Sequence, residues 1–163
     1  MERLLLTLLV VALFALGVYG MWRGWRRQAR AQSVLVPPFP PVPDDRGEPV
    51  LETTGIYVAT TRAGHWQQRI VTRGMGLRGP ASLRLYAGGV EVDRTGRPGF
   101  WIPRESIVEA ATAKGMAGKV MGTDSLLVLT WRLGDVELDT GFRGDDLAVY
   151  PQWIEQVKGG AQV

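Results

Sequence analysis

The chain has 163 residues, with 19 basic and 16 acidic side chains, one histidine and no cysteine. Disulfides, thiolate catalysis and cysteine-ligated metal centres are therefore excluded, and a lone His65 cannot supply a multi-histidine metal site. The net charge of +3 is uneven: residues 1–32 hold five arginines against Glu2, while the rest holds 14 basic and 15 acidic side chains. The bulk of the chain thus lacks the charge signature of a nucleic-acid binder.

The first element is an uncharged apolar run, LLLTLLVVALFALGVYGMW, from Leu4 to Trp22. As a helix at ~1.5 Å per residue it is roughly 28 Å long, close to the ~30 Å hydrocarbon core of a bilayer. Thr7 is its clearly polar side chain and can return its hydroxyl to a carbonyl one turn back. Tyr19, Trp22 and Trp25 collect at one end, where amphipathic rings favour the headgroup layer. Arg23, Arg26, Arg27 and Arg30 follow at once. That asymmetry predicts an amino terminus outside and a cytoplasmic carboxyl-terminal part in the plasma (inner) membrane. A secretory signal is the rival reading, with Ala29-Arg30-Ala31 as a loose cleavage pattern. It would carry its charge before a shorter apolar run, so residues 1–32 read as a single-pass anchor. The run itself contains no G-x-x-x-G pair.

Residues 33–52, SVLVPPFPPVPDDRGEPVLE, hold six prolines: Pro37, Pro38, Pro40, Pro41, Pro43 and Pro49. Proline fixes φ and lacks the ladder N–H, so the segment reads as a semi-rigid spacer holding a domain off the bilayer. PPFPP also has the character of a ligand for an aromatic-lined groove.

A domain is expected over 53–160. Strands are predicted at 55–61, 81–86, 90–94, 99–102, 107–114, 126–132 and 137–142, separated by glycine-rich turns such as Ala87-Gly88-Gly89. Leu83 and Leu85 alternate with Arg84 and Tyr86, and Val136 and Leu138 with Glu137 and Asp139. That period of two predicts antiparallel strands with one buried face. Asp145 and Asp146 precede LAVYPQWIEQV, which predicts a helix over about 147–158 with Pro151 at its first turn and Trp153 in the core. The architecture is mainly β: a seven-stranded antiparallel barrel or sandwich capped by a carboxyl-terminal helix.

That element order, together with TGIYVATTRAGHWQQRI (54–70), FWIPRESI (100–107), KGMAGKVM (114–121) and LTWRLGDVELDTGFRGDD (129–146), resembles the pleckstrin-homology (PH) superfold. The whole chain is similar to a family of small actinobacterial membrane proteins with one amino-terminal span and a bacterial PH-like domain. The resemblance implies location and fold. It implies no chemistry, because the superfold carries lipid binders, peptide binders and plain scaffolds.

Motifs with catalytic overtones fail on context. Gly74-Met75-Gly76-Leu77-Arg78-Gly79 matches G-x-G-x-x-G, but Pro80 and a strand follow where a helix should open. In Gly115-Met116-Ala117-Gly118-Lys119 the spacing is wrong for a phosphate loop and Val120 replaces the Ser or Thr, although Lys114 and Lys119 could touch an anion. Asp135, Glu137 and Asp139 alternate along one solvated strand face, and His65 has no evident nucleophile or orienting partner.

Arginine is the more informative residue. Residues 62–104 carry eight arginines against Glu91 and Asp93, whereas residues 105–163 carry five basic and nine acidic side chains. If they converge in space, Arg62, Arg69, Arg73 and Arg78 would meet anionic headgroups, as would Arg23, Arg26, Arg27 and Arg30. The expected function is a non-catalytic, membrane-anchored binding or scaffold module with a protein partner, without cofactor, metal or nucleic acid. The alternatives are an anionic-lipid sensor or an accessory subunit of a membrane transport or enzyme complex.

Overall fold

The computed structural model describes residues 1–116, 119–120 and 125–159. Helix α1 (Glu2–Leu35) begins the chain. It contains one stretch long and apolar enough to cross a membrane, Glu2–Gln28, and none of that stretch is buried. Thr7 Oγ1 donates to the Arg3 carbonyl at 2.8 Å, which satisfies the hydroxyl within the helix. The helix outruns Trp22, the end of the uncharged run, by 13 residues, ~20 Å at 1.5 Å per residue. This continuation puts Gly20 and Gly24, both open to their surroundings, in a G-x-x-x-G relation across the end of the run.

The domain is built from β1 (Leu51–Arg62), β2 (His65–Arg69), β3 (Gly79–Tyr86), β4 (Gly89–Arg94), β5 (Phe100–Pro103), β6 (Ile107–Ala113), β7 (Gly115–Met116), β8 (Lys119–Val120), β9 (Leu126–Leu133), β10 (Val136–Gly144) and α2 (Tyr150–Gly159). The main sheet is antiparallel in the order β5-β4-β3-β1-β10-β9-β6, with β2 paired to β1 beside this path. Strands β5 and β6 thus lie at opposite ends of the path. Only the 3-10 turn Arg104–Ser106 joins them. A flat path of seven strands spans ~29 Å, while three linking residues reach at most ~14 Å. The sheet must therefore curl until its ends approach, and the interior of the curl is the core.

That core holds Trp131, Phe100, Tyr57, Phe142, Leu83 and Leu138, and α2 covers it with Tyr150, Trp153 and Val157. The spacing of those three puts them on one helical stripe. The seven strands expected from alternation are β1, β3, β4, β5, β6, β9 and β10. The expected helix begins instead with a 3-10 turn, Leu147–Val149, capped by Asp146 accepting from the Ala148 N–H at 2.9 Å. Pro151 then falls in the first turn of α2, where its missing N–H costs nothing.

Two features of β1 depart from simple alternation. Tyr57 pairs with Phe142 and Ala59 with Gly141, so Val58 is an extra, bulged residue. The bulge turns Tyr57 and Thr60 to the same interior, their hydroxyls 2.7 Å apart. Val58 packs instead with Ala59 and Leu126 in a smaller second cluster. Gly55 crosses Gly144 so closely that a Cβ on it would sit 2.8 Å from the Gly144 Cα.

The proline-rich segment is not a free spacer. Val36 is 4 % exposed and belongs to the core. Phe39 stands edge-on to both Phe100 and Trp131, at centroid distances of 5.0 and 5.4 Å. The Trp101 N–H donates to the Pro40 carbonyl at 2.9 Å. Arg46 reaches the Tyr86 hydroxyl at 3.2 Å and the buried Glu91 carboxylate at 3.4 Å. Apolar side chains among the prolines have a core to join, and burial outweighs the stiffness that proline confers.

Candidate functional site

The two ends of the curled sheet differ. At the β5 end, the strap of residues 36–46 already accepts the Trp101 N–H. At the other end, β6 pairs with β9 alone among the described residues. Pairing is irregular between Ile107 and Glu109, leaving Val108 as a bulge that is half exposed, but it runs regularly from Ala110 to Ala113. A bulge twists an edge away from pairing, and here the irregularity lies ahead of the regular stretch Ala110–Ala113. Beside the regular stretch lies an open groove of about 680 Å³, formed with α2 and lined by Thr112, Pro151, Ile154, Glu155, Lys158 and Gly159. An unpaired strand edge next to an apolar shoulder can take an extended peptide.

The arginines fall into several environments. Arg23, Arg26, Arg27 and Arg30 recur at i, i+3, i+4 and i+7 and line one shallow depression of α1 with Trp22. The Arg26 guanidinium lies 4.1 Å from the Trp22 ring centre. Arg62 is exposed at the end of β1, and Arg69 is half-buried at the end of β2. Arg73 is in the 3-10 turn Thr72–Gly74; its side chain lies outside the described residues. Arg78 is exposed just before β3. Arg97, from the β4–β5 turn, places Nη1 3.4 Å from the Arg78 carbonyl oxygen.

The remaining arginines of 62–104 do not join them. Arg84 is engaged by Glu52 at 2.8 Å, Asp93 at 3.3 Å and Glu91 at 3.6 Å. Arg104 binds the Tyr86 and Gln156 carbonyls, tying the β5–β6 turn to α2. Arg94 is 4 % exposed and donates to the Pro98 and Gly74 carbonyls.

Sequence alone does not single out Trp25 and Leu77 as neighbours. They line one cavity of about 420 Å³ together with Arg69, Val71, Thr72, Gly74 and Gly76, wedged between α1 and the loop that follows β2.

Comparison with known proteins decides the family. Residues 36–158 match the family model described as bacterial PH domain-like. The chain belongs to the bacterial PH domain-like family. The match begins at Val36, the first core residue among the described side chains. A chain in the structure titled "The 8S snRNP Assembly Intermediate" is similar in fold, with a TM-score of 0.51 and 6 % identity over 76 % of this chain and 90 % of that one. No curated protein matches the sequence.

Inside the PH-like domain, a chain of buried polar groups is hydrogen-bonded end to end, whereas the buried Thr61 Oγ1 and Arg104 Nε meet no hydrogen-bond partner among the described residues. Trp131 Nε1 can only donate, and it meets Thr140 Oγ1 at 3.0 Å. Thr140 and Thr60 hydroxyls are 3.0 Å apart, Thr60 and Tyr57 2.7 Å, and Tyr57 donates to the Met75 carbonyl at 2.6 Å. A donor at one end and an acceptor at the other fix every proton, so the chain runs Trp131 to Thr140 to Thr60 to Tyr57 to Met75. Burial pushes the Tyr57 hydroxyl up to about 12, against the opposing effect of the Thr60 hydrogen bond. Arg94 lies 5.3 Å from the Tyr57 ring centre, and burial lowers its pKa. Tyr150 accepts from the Gly144 N–H at 2.8 Å and donates to the Ser125 carbonyl at 3.0 Å; burial raises its pKa.

The described motif residues of the PH-like domain fall in strands, turns and surface pairs. Strand β3 starts at Gly79, the last glycine of the G-x-G-x-x-G stretch. Gly115 and Lys119 belong to the β7 and β8 strands, and Ala117 and Gly118 lie outside the described residues. Glu137 pairs with Arg132 at 3.4 Å, Asp139 accepts from Thr130 at 2.6 Å, and Asp135 is exposed. His65 is exposed, with Nδ1 3.2 Å from the Ala63 carbonyl. No group of three or more His, Asp or Glu residues that could hold a metal ion occurs among the described residues.

Proposed function

We propose that the protein is a membrane-anchored scaffold whose PH-like domain takes an extended segment of a protein partner along β6. Helix α1 is the single span, in the plasma membrane, with its amino terminus outside and the domain in the cytoplasm. The charge asymmetry supports that orientation: Arg23, Arg26, Arg27 and Arg30 follow the apolar run, and only Arg3 precedes it. Those four arginines meet anionic headgroups of the inner leaflet.

The observation that carries the binding role is the contrast between the two sheet edges. The β5 edge is met by the chain's own strap through Pro40, while β6 faces the groove beneath Pro151 and Ile154. Backbone pairing along Ala110–Ala113 would supply affinity, and the Pro151–Ile154 shoulder would select an apolar side chain.

Photo-crosslinking in cells tests this reading. A crosslinker at Thr112 should trap one dominant protein, and one at Arg132 should not. Equal labelling from both positions, or none from Thr112, removes the peptide-binding role. A reporter fused after Val163 tests the orientation separately and should report the cytoplasm.

A further inference from the structure

A free spacer would leave the loops of the domain well above the bilayer. The fixed points of α1 forbid that. The helix ends at Leu35, and Val36 is already part of the core. Ten residues earlier, Trp25 shares a cavity with the loop after β2. Helix and domain are thus held together at two points, and the domain cannot swing away without unpacking Val36.

Depth along the helix then locates the loop. The apolar run ends at Trp22, and Trp25 lies ~4.5 Å further at 1.5 Å per residue. The headgroup layer on each side of a bilayer is roughly 5–8 Å thick, from the difference between total and hydrocarbon thickness. Trp25 therefore sits at headgroup depth, and the residues sharing its cavity sit there too. Leu77 is 53 % exposed at this place, an apolar side chain that the core does not use. Arg69 lines the same cavity, Arg78 follows Leu77, and Arg97 lies against the Arg78 carbonyl. An apolar tip among guanidinium groups, beside an interfacial tryptophan, matches the layered chemistry of an anionic membrane surface.

We infer that the wedge between Trp25 and residues 69–77 is a site for an anionic phospholipid of the leaflet α1 enters, and that this lipid seats the domain directly on the bilayer. Trp25, Val71 and Leu77 meet its glycerol and upper acyl carbons, and Arg69 faces its phosphate. The inference rests on the reading of α1 as a membrane span.

The absence of cysteine makes the test direct, because a single introduced thiol carries one label. Full-length Leu77→Cys, Leu13→Cys and Ala87→Cys proteins, each bearing an environment-sensitive fluorophore, are reconstituted in phosphatidylcholine vesicles with or without phosphatidylglycerol. Lipids carrying a quencher report contact. Ala87 is the control because it lies beyond the other end of β3, ~24 Å along the strand. The expected result is quenching at 13 and 77 but not at 87. Quenching at 77 should be stronger with phosphatidylglycerol, and Arg69→Gln should reduce that preference about fivefold. If position 13 is quenched while 77 behaves like 87, the lipid site is wrong and the span stands. Equal quenching at 77 in neutral and anionic vesicles also overturns the site. If position 13 is not quenched, the span reading fails and takes the site with it.

Discussion

Phe39 stands edge-on to Trp131, with ring planes at 88° and centroids 5.4 Å apart. A residue from the proline-rich segment thus completes the aromatic centre of the domain, where Phe100 and Trp131 stack 6.3 Å apart. Replacing Phe39 by alanine removes both edge contacts. The Phe39→Ala protein should lose about 2 kcal/mol of stability, measured by chemical denaturation of the full chain. A fragment starting at residue 53 should be less stable than one starting at residue 36. Equal stability of the two fragments would mean that the strap contributes nothing.

The hydroxyl of Tyr57 gives a pH signature. Its proton is held to about 12 in the folded protein, against 10 when unfolded. Below pH 10 both states are protonated and the full stability is present. Between those values the unfolded chain loses its proton first, so stability falls as pH rises. The loss approaches about 2–3 kcal/mol, at ~1.4 kcal/mol per pH unit. Tyr57→Phe should flatten this part of the profile. The raised pKa of Tyr150 acts with the same sign, so some alkaline dependence should persist in that variant.

Gly55 is set by space, not by conformation. Any Cβ there meets the Gly144 backbone on the neighbouring strand, and backbone cannot rotate aside as a side chain can. Gly55→Ala should therefore cost about 2–3 kcal/mol, in the range of an overpacked core. Gly64→Ala, in the β1–β2 turn, has open space and only its positive φ to oppose it. It should cost about 1 kcal/mol. Thermal melts of the two variants side by side check the order.

Trp131 and Trp153 are 0 % and 1 % exposed, so neither is available to a partner. Alanine at either should cost about 3–5 kcal/mol and unfold a domain of ordinary stability. Trp101 is 7 % exposed and lies over Gly89, which places it in the same class. Near-ultraviolet circular dichroism of the three variants should show lost tertiary signal.

Periodicity read the seven path strands because each places apolar residues on the inner face of the curl. It could not read β2: His65-Trp66-Gln67-Gln68-Arg69 has no alternation, and the strand exists because β1 offers it a partner at Thr61 and Arg62. Strand β1 begins at Leu51, four residues ahead of the expected start, for the same reason. Residues 51–55 pair with Leu85–Ala81 across the sheet. The arginine excess of 62–104 was legible, but its division was not. Arg84 meets acids, Arg94 is buried on carbonyls, and Arg97 joins Arg78 through a turn nineteen positions away in the chain.

What the sequence determined by itself was local. The long apolar helix, its charged flank, the strand periods and the helix start all depend on neighbours within about one or two turns of chain, where solvent and backbone geometry act directly. Tertiary structure alone decided that proline-rich residues pack as a strap, that Val58 bulges so Tyr57 and Thr60 can share the interior, and that Trp25 meets the loop around Leu77. Each of these brings together groups far apart in sequence, and such pairings are settled by which surfaces the folded chain buries together.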